Sequence, residues 1–309
     1  LTIQNGLTNE EGGGIDASFA NLEVVNSVLQ NNVVSDPSFA FAGGAIFADD
    51  ASLFLDSSVI RNNSVSGGKG GGVAFFARAG YIVNPAANPT GGAIVVVDSR
   101  LEDNSADKGG GLFIEGADPN GTSAVLERVV FNQNSATTNG GGAHVAGVRN
   151  LIVTDGEFTF NNAGGSGGGL NVLPEIAVTE DAFVNVTGTS FRDNRGGLNA
   201  NSFADGGAIF ADISVQLSVR GAEFLRNTLG PSFGSGGAIR ANDVLLIEDS
   251  DIRQNQVAAG SGGGVAYRGS SLDTLTITRT TFATNSASET GGALDVIGDT
   301  LGSPAPVTI

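Results

Sequence analysis

The chain has 309 residues, 48 of them glycine, with 40% apolar residues and a formal net charge of −17 from 32 acidic and 15 basic side chains. So acidic a surface repels a polyanion and offers no basic patch, which excludes nucleic acid as a partner; the lack of cysteine excludes disulfides and thiolate metal centres. Glycine follows no every-third-residue period, which excludes collagen, and no apolar run is long enough to cross a membrane, so no membrane insertion of this segment is expected.

The chain opens on "LTIQN", where Leu1 and Ile3 alternate as in a strand and Asn5 suits a bend. One phrase then recurs nine times in order, each closing on an asparagine: Asn32, Asn62, Asn104, Asn134, Asn161, Asn194, Asn227, Asn255 and Asn285. Three positions earlier stand Leu29, Val59, Leu101, Phe131, Phe158, Phe191, Phe224, Ile252 and Phe282, all large and apolar. Eight positions earlier the column runs Val24, Phe54, Val96, Leu126, Val153, Val186, Val219, Ile247 and Ile277, and ten earlier it is again mostly Leu, Ile or Val, with Ser52 and Ala124 the exceptions. That spacing of two predicts a short strand. Six positions before each asparagine stand Asn26, Asp56, Asp98, Arg128, Asp155, Gly188, Gly221, Asp249 and Arg279, mostly types that tolerate a left-handed backbone, so a bend is predicted there.

After each asparagine come a polar loop, a run of glycines and an apolar residue: Ile46, Val73, Leu112, Leu170, Ile209, Ile239, Val265 and Leu294, with Ile15 preceding the first asparagine in the same way. The fifth repeat, "GGGAHVAG", can be framed two ways; the one that keeps Ala143 and Val145 inward turns His144 outward and needs no buried imidazole. Val307 and Ile309 again match the positions ten and eight before an asparagine. A unit with three short strands and no helical period cannot bury its own apolar face, whereas stacked units can. The expectation is one all-β domain over 1–309: a right-handed, single-stranded parallel β-helix (β-solenoid) of about ten coils, roughly 45 to 50 Å long at about 4.8 Å per coil. The nine asparagines then form a structural ladder along it.

"GGAI" at residues 43, 91, 206 and 236, "GGAL" at 291, and FxxN in "FNQN", "FTFN", "FRDN", "FLRN" and "FATN" resemble the repeats of the chlamydial polymorphic outer-membrane proteins and related bacterial right-handed β-helix surface proteins. The resemblance covers nearly the whole chain. It implies secretion, an extracellular or cell-surface location, and adhesion, with a glycan or cell-surface receptor as partner.

Insertions such as residues 77–92 vary the coil length, and loops on a regular scaffold are where recognition is placed. Three loops carry Ser-Phe, at Phe39, Phe203 and Phe233. These rings are read either as staples folding each loop onto its coil, the preferred reading, or as contacts for a partner. Without a cap at either end, coils are expected to continue along a longer polypeptide or by end-to-end association into a filament.

Catalysis is not expected. Asp56, Asp98, Asp155 and Asp249 are the candidate acids, with Asp56 and Asp98 predicted about 5 Å apart on consecutive coils, but they fall in the bend column, where backbone geometry explains them. Glu102 with Asp103, and the run Glu248 to Asp251, offer carboxylates for weak surface calcium at most, no calcium-loop motif is present, and no cofactor is expected. The sequons at Asn62, Asn120 and Asn185 are glycosylation acceptors, with Asn62 hidden if it belongs to the ladder. The alternative function is a polysaccharide-binding or polysaccharide-degrading β-helix, a lyase or glycoside hydrolase.

Overall fold

A computed structural model describes residues 1–36, 42–77, 93–116, 122–174, 181–199, 203–270, 272–298 and 306–309. Among them there is no helix, and the strands assemble into four parallel ten-stranded sheets. Each sheet takes one strand per coil, in chain order, so the chain winds as a right-handed parallel β-helix. The first sheet runs from Thr2–Gln4 to Thr281–Ala283, the second from Leu7–Thr8 to Ser286–Ala287, the third from Ile15–Ser18 to Leu294–Gly298 and the fourth from Asn21–Val25 to Val307–Thr308. Ten rungs at about 4.8 Å make a rod about 43 Å long.

Each coil therefore has four strands where the sequence pattern suggested three. The extra one is the two-residue strand directly after the asparagine, such as Ser135–Ala136, too short to show a period. Apart from the glycine turn, two columns of left-handed residues bend the chain on either side of the first-sheet strand. The predicted bend column takes φ near +50° at Asn26, Asp98, Arg128, Asp155, Asp249 and Arg279, and a second column just before the asparagine does the same, at Asn31, Asp103, Gln133, Phe160, Asp193 and others. Phe160 and Gln133 lack the types that favour this conformation, so coil stacking overrides a local cost of order 1–2 kcal/mol at each. The glycine turn is stricter. A Cβ on Gly109, at φ +62°, would lie 2.3 Å from the Leu112 carbonyl oxygen, and one on Gly110 would lie 2.5 Å from carbonyl oxygens of Ser135 and Gly141 in the next coil.

The interior holds ladders of like residues. Phe131, Phe158, Phe191 and Phe224 are fully buried and stack with ring centroids 4.6, 4.7 and 4.9 Å apart. Leu29, Ile60 and Leu101 extend the same column, each paired with its neighbour in register. Burying each of these side chains contributes about 1.5–3 kcal/mol, gained coil by coil.

Two expected registers are corrected. In the second repeat the ladder residue is Asn63, not Asn62, so the buried residues are Ile60, Leu55 and Leu53 in place of Val59, Phe54 and Ser52, and Ser57, at φ 48°, takes the bend in place of Asp56. At the start of the chain Ile3 pairs with Leu29, which puts it three positions before the ladder position rather than eight, and Asn5 occupies the second bend column. Val307 does pair with Leu275 as expected.

Candidate functional site

The most repeated polar group is used entirely between coils. In each link, the backbone N–H and the Nδ2 of one asparagine donate to Oδ1 of the asparagine in the next coil: Asn134 to Asn161 at 3.1 and 3.0 Å, Asn161 to Asn194 at 3.1 and 2.9 Å. The same Nδ2 also donates back to the preceding coil, as Asn134 does to the Leu101 carbonyl at 2.8 Å. Links of this kind run through Asn32, Asn63, Asn104, Asn134, Asn161, Asn194, Asn227, Asn255 and Asn285. Five positions earlier lies a second, hydroxyl ladder that the sequence pattern did not reveal. Ser58 Oγ accepts from Ser27 N–H and Ser99 Oγ from Ser58 N–H, both at 3.0 Å, and Thr189, Ser250 and Thr280 serve similarly. Val129, Gly156 and Ala222 interrupt this column, which hid it.

The candidate acids do not converge. Asp56 pairs with Val97 in the fourth sheet, while Asp98 lies in the bend and accepts both ends of the Arg128 guanidinium fork at 2.6 and 2.9 Å. Asp249 is held the same way by Arg279 at 2.6 and 2.8 Å, and Asp193 by Arg226 at 2.9 and 2.8 Å. The arginine hydrogen bonds hold the carboxyls of Asp98 and Asp249 below the usual carboxylate range. Asp155 sits over Gly188 instead, its Oδ1 2.3 Å from where a Cβ would stand. Within the run from Glu248 to Asp251 each acid has an arginine: Arg220 for Glu248, Arg279 for Asp249 and Arg253 for Asp251. Arg100 likewise pairs with Glu102. Among the described residues no three His, Cys, Asp or Glu side chains gather as a metal site.

Phe203 and Phe233 pair across a three-stranded sheet formed by Phe203–Asp205, Phe233–Ser235 and Gly260–Ser261, and their rings are exposed at 87% and 61%. Backbone pairing, not a ring, holds these two loops against the coils, which corrects the staple reading. Phe39 and Asn120 lie outside the described residues. Asn62, freed from the ladder, is exposed, as is Asn185.

His144 has the predicted register: Ala143 pairs with Leu112 and Val145 with Ile114, both pointing inward. Its imidazole is nevertheless buried, because the outer face of the third sheet is covered. The ring stacks on Phe113 at 5.2 Å and takes a hydrogen bond at Nδ1 from Asn171 Nδ2 at 3.1 Å. Lys69 Nζ lies over the Phe113 ring, 4.7 Å from its centre, and pairs with Glu115 at 2.8 Å. Burial first, then the charges of Lys108 and Lys69, depress the imidazole pKa to about 3.

Further along this outer face, the column Phe113, His144, Asn171, Phe210 reaches Arg240. Arg240 is 3% exposed, and its Nε and Nη1 are buried without any protein acceptor in hydrogen-bond reach. It lines a cleft of about 650 Å³ with Arg268, Asn242, Asp243, Ser270 and Asp273. The cleft forms at the corner between the third and fourth sheets, where the strands Ile209–Ala211 and Ile239–Ala241 pass to Val215–Arg220 and Leu245–Glu248 through only three residues. The acids around it are engaged by backbone: Asp243 Oδ1 accepts from Val244 N–H and Asp273 Oδ2 from Ser270 N–H, both at 2.6 Å. Below it Asp212 Oδ1 accepts from Ile213 N–H at 2.8 Å and Asn242 Nδ2 at 3.2 Å, while Asp205 Oδ1 accepts from Ser235 N–H. Burial raises the pKa of Asp205 and Asp243. Sequence reasoning looked for recognition in inserted loops and missed a site made by short ones. The available signal was "GGAIR" at 236–240 against "GGAIF" at 43–47 and 206–210, a charge in an otherwise uncharged stretch of the column.

No family model matches the chain, and no match was found among the curated proteins or among the solved structures.

Proposed function

We propose that the chain is a non-catalytic structural or adhesive β-solenoid, displayed outside the cell or on its surface, whose coils continue end to end in a longer fibre. The observation that carries this reading is the asparagine ladder: the polar side chain repeated at every coil is consumed by coil-to-coil bonds, so repetition here extends a rod and does not multiply a reaction centre. The side chains that remain for contact with a partner are those that differ between coils, including the exposed pair Phe203 and Phe233. Aromatic rings presented on a rigid support suit binding of an apolar or glycan surface. A solenoid rung offers unpaired N–H and C=O groups along its axis, and an in-register rung satisfies them, whether it comes from the same polypeptide or another copy.

Electron microscopy of the native material tests this. The expected result is rods longer than the 43 Å or so of ten rungs, with the strand spacing of about 4.8 Å unbroken along them. Monodisperse short rods at all concentrations, from the complete gene product, would overturn the fibre; turnover of a polysaccharide by the purified protein would overturn the non-catalytic reading.

A further inference from the structure

We propose that the cleft between Arg240 and Arg268 binds a carboxylate-bearing ligand, whose oxygens complete the hydrogen bonding of the buried Arg240 guanidinium. Fibre formation does not require this, and it follows from separate observations.

A guanidinium is charged at every pH a protein meets, so it cannot escape burial by losing its proton. Buried charges are accordingly paired, and one left without acceptors is strongly destabilising. Arginines on the exposed bends of this chain follow the rule: Arg128, Arg226 and Arg279 each grip a carboxylate with two nitrogens. Among the described residues Arg240 reverses it, being the deeply buried arginine and the one whose Nε and Nη1 have no acceptor. Acids surround it, with Asp205, Asp212 and Asp295 all exerting an attraction, yet none reaches hydrogen-bonding distance. The carboxylates of Asp205, Asp212, Asp243 and Asp273 are each turned to a backbone N–H. Asp295, two rungs on in the same column beyond Ala266, accepts from Thr290 through Oδ1, and its Oδ2 is buried without a partner of its own. No oxygen of the described residues is in hydrogen-bond reach of Arg240 Nε or Nη1, so an acceptor brought by a ligand is the one that completes them.

The cleft supplies the rest of a binding site. At about 650 Å³ it falls within the range that small ligands or a few sugar residues occupy. Arg268, exposed on the adjacent coil and without an ion pair among the described residues, stands at the same cleft as a second cation. Asn242 Oδ1, also buried and unpartnered, offers an acceptor, and Ser270 a hydroxyl, so hydroxyl groups on the ligand would be matched beside its carboxylate. A planar two-oxygen anion is what a guanidinium fork recognises best. The five nearby aspartates, Asp295 included, disfavour ligands of high charge density and favour one singly charged group at a time, as in a uronate sugar or a small organic acid.

The test uses the whole chain in titration calorimetry against four probes: an oligouronate, the same oligosaccharide with its carboxyls reduced to alcohols, succinate, and inorganic phosphate. Saturable binding of the oligouronate or of succinate is expected, with none for the reduced oligosaccharide. Binding of the oligouronate alone places the carboxylate on a saccharide, and binding of succinate alone places it on a small acid; either supports the site. Arg240→Met, which keeps the aliphatic stem, and Arg268→Gln are each expected to weaken binding tenfold or more. A merely structural Arg240 would lower the thermal midpoint when replaced, whereas Arg240→Met is expected to hold or raise the midpoint of the ligand-free protein. The proposal is overturned if no carboxylate probe binds, if binding is unchanged in both variants, or if phosphate binds as tightly as the carboxylates. Should Arg240→Met fail to fold, Arg268→Gln decides alone, because its side chain is exposed.

Discussion

Two adjacent asparagines in the second repeat have opposite fates. Asn63 is buried, accepts from the backbone and side chain of Asn32, and donates to the Leu29 carbonyl and to Asn104. Asn62 is exposed at φ 54°, where it serves the backbone alone. Each buried group left unpaired costs about 1–3 kcal/mol, so Asn63→Ala is expected to destabilise by about 3 kcal/mol or more. Asn62→Gly keeps the left-handed conformation open and is expected to stay within about 0.5 kcal/mol of the parent. Urea unfolding of the two variants checks this, and the reverse order would return the ladder to Asn62. The doublet is also why the sequence misled at this point. Both asparagines close an acceptable phrase, and only the weak Ser52 in the column ten positions earlier, where Leu53 fits better, distinguishes them.

At the level of the sheet, the outer face of the third sheet behaves as a second interior, and His144 reports on it. Its imidazole is neutral when folded, with a pKa near 3, against about 6.5 when unfolded. Above pH 6.5 neither state is protonated, and the native state carries no penalty from this group. As the pH falls below 6.5 the unfolded chain takes up a proton that the native state refuses until near pH 3, so stability declines across that window. The slope is about 1.4 kcal/mol per pH unit. His144→Gln retains an acceptor for Asn171 and does not titrate. Relative to the variant, the parent is expected to lose about 1.4 kcal/mol of stability for each pH unit between pH 6 and pH 4 in equilibrium unfolding; a constant difference would mean an accessible imidazole. Alternation in "GGAHVAG" was enough to say which way His144 points. It was silent on what lies beyond the sheet, because covering groups such as Lys69 come from connections with no period of their own. The same reason hid Arg240, whereas the phenylalanine column was legible because each ring meets its own kind on both sides.

Along the whole rod, stability is a sum of rung-to-rung terms, largest where a coil has neighbours on both sides. The described end coils are the least buried: Leu1 and Leu7 are exposed, and Phe282, Asn285 and Leu294 only half-buried, while Phe131 to Phe224 are fully enclosed. Amide hydrogen exchange on the isolated chain is therefore expected to be slowest at Asn134, Asn161 and Asn194 and faster toward Gly6 and the Asn255 amide. Uniform protection along the rod would show one all-or-none unit instead. The asparagine ladder adds a property of another kind. Main-chain amides in a strand point alternately up and down the axis and cancel. The ladder carboxamides do not alternate, since every Oδ1 faces the coil before it. Their dipoles add, so the rod carries a vector along its length, oxygen toward its beginning and N–H toward its end, and an ion or a dipolar partner approaching the two ends would meet fields of opposite sign.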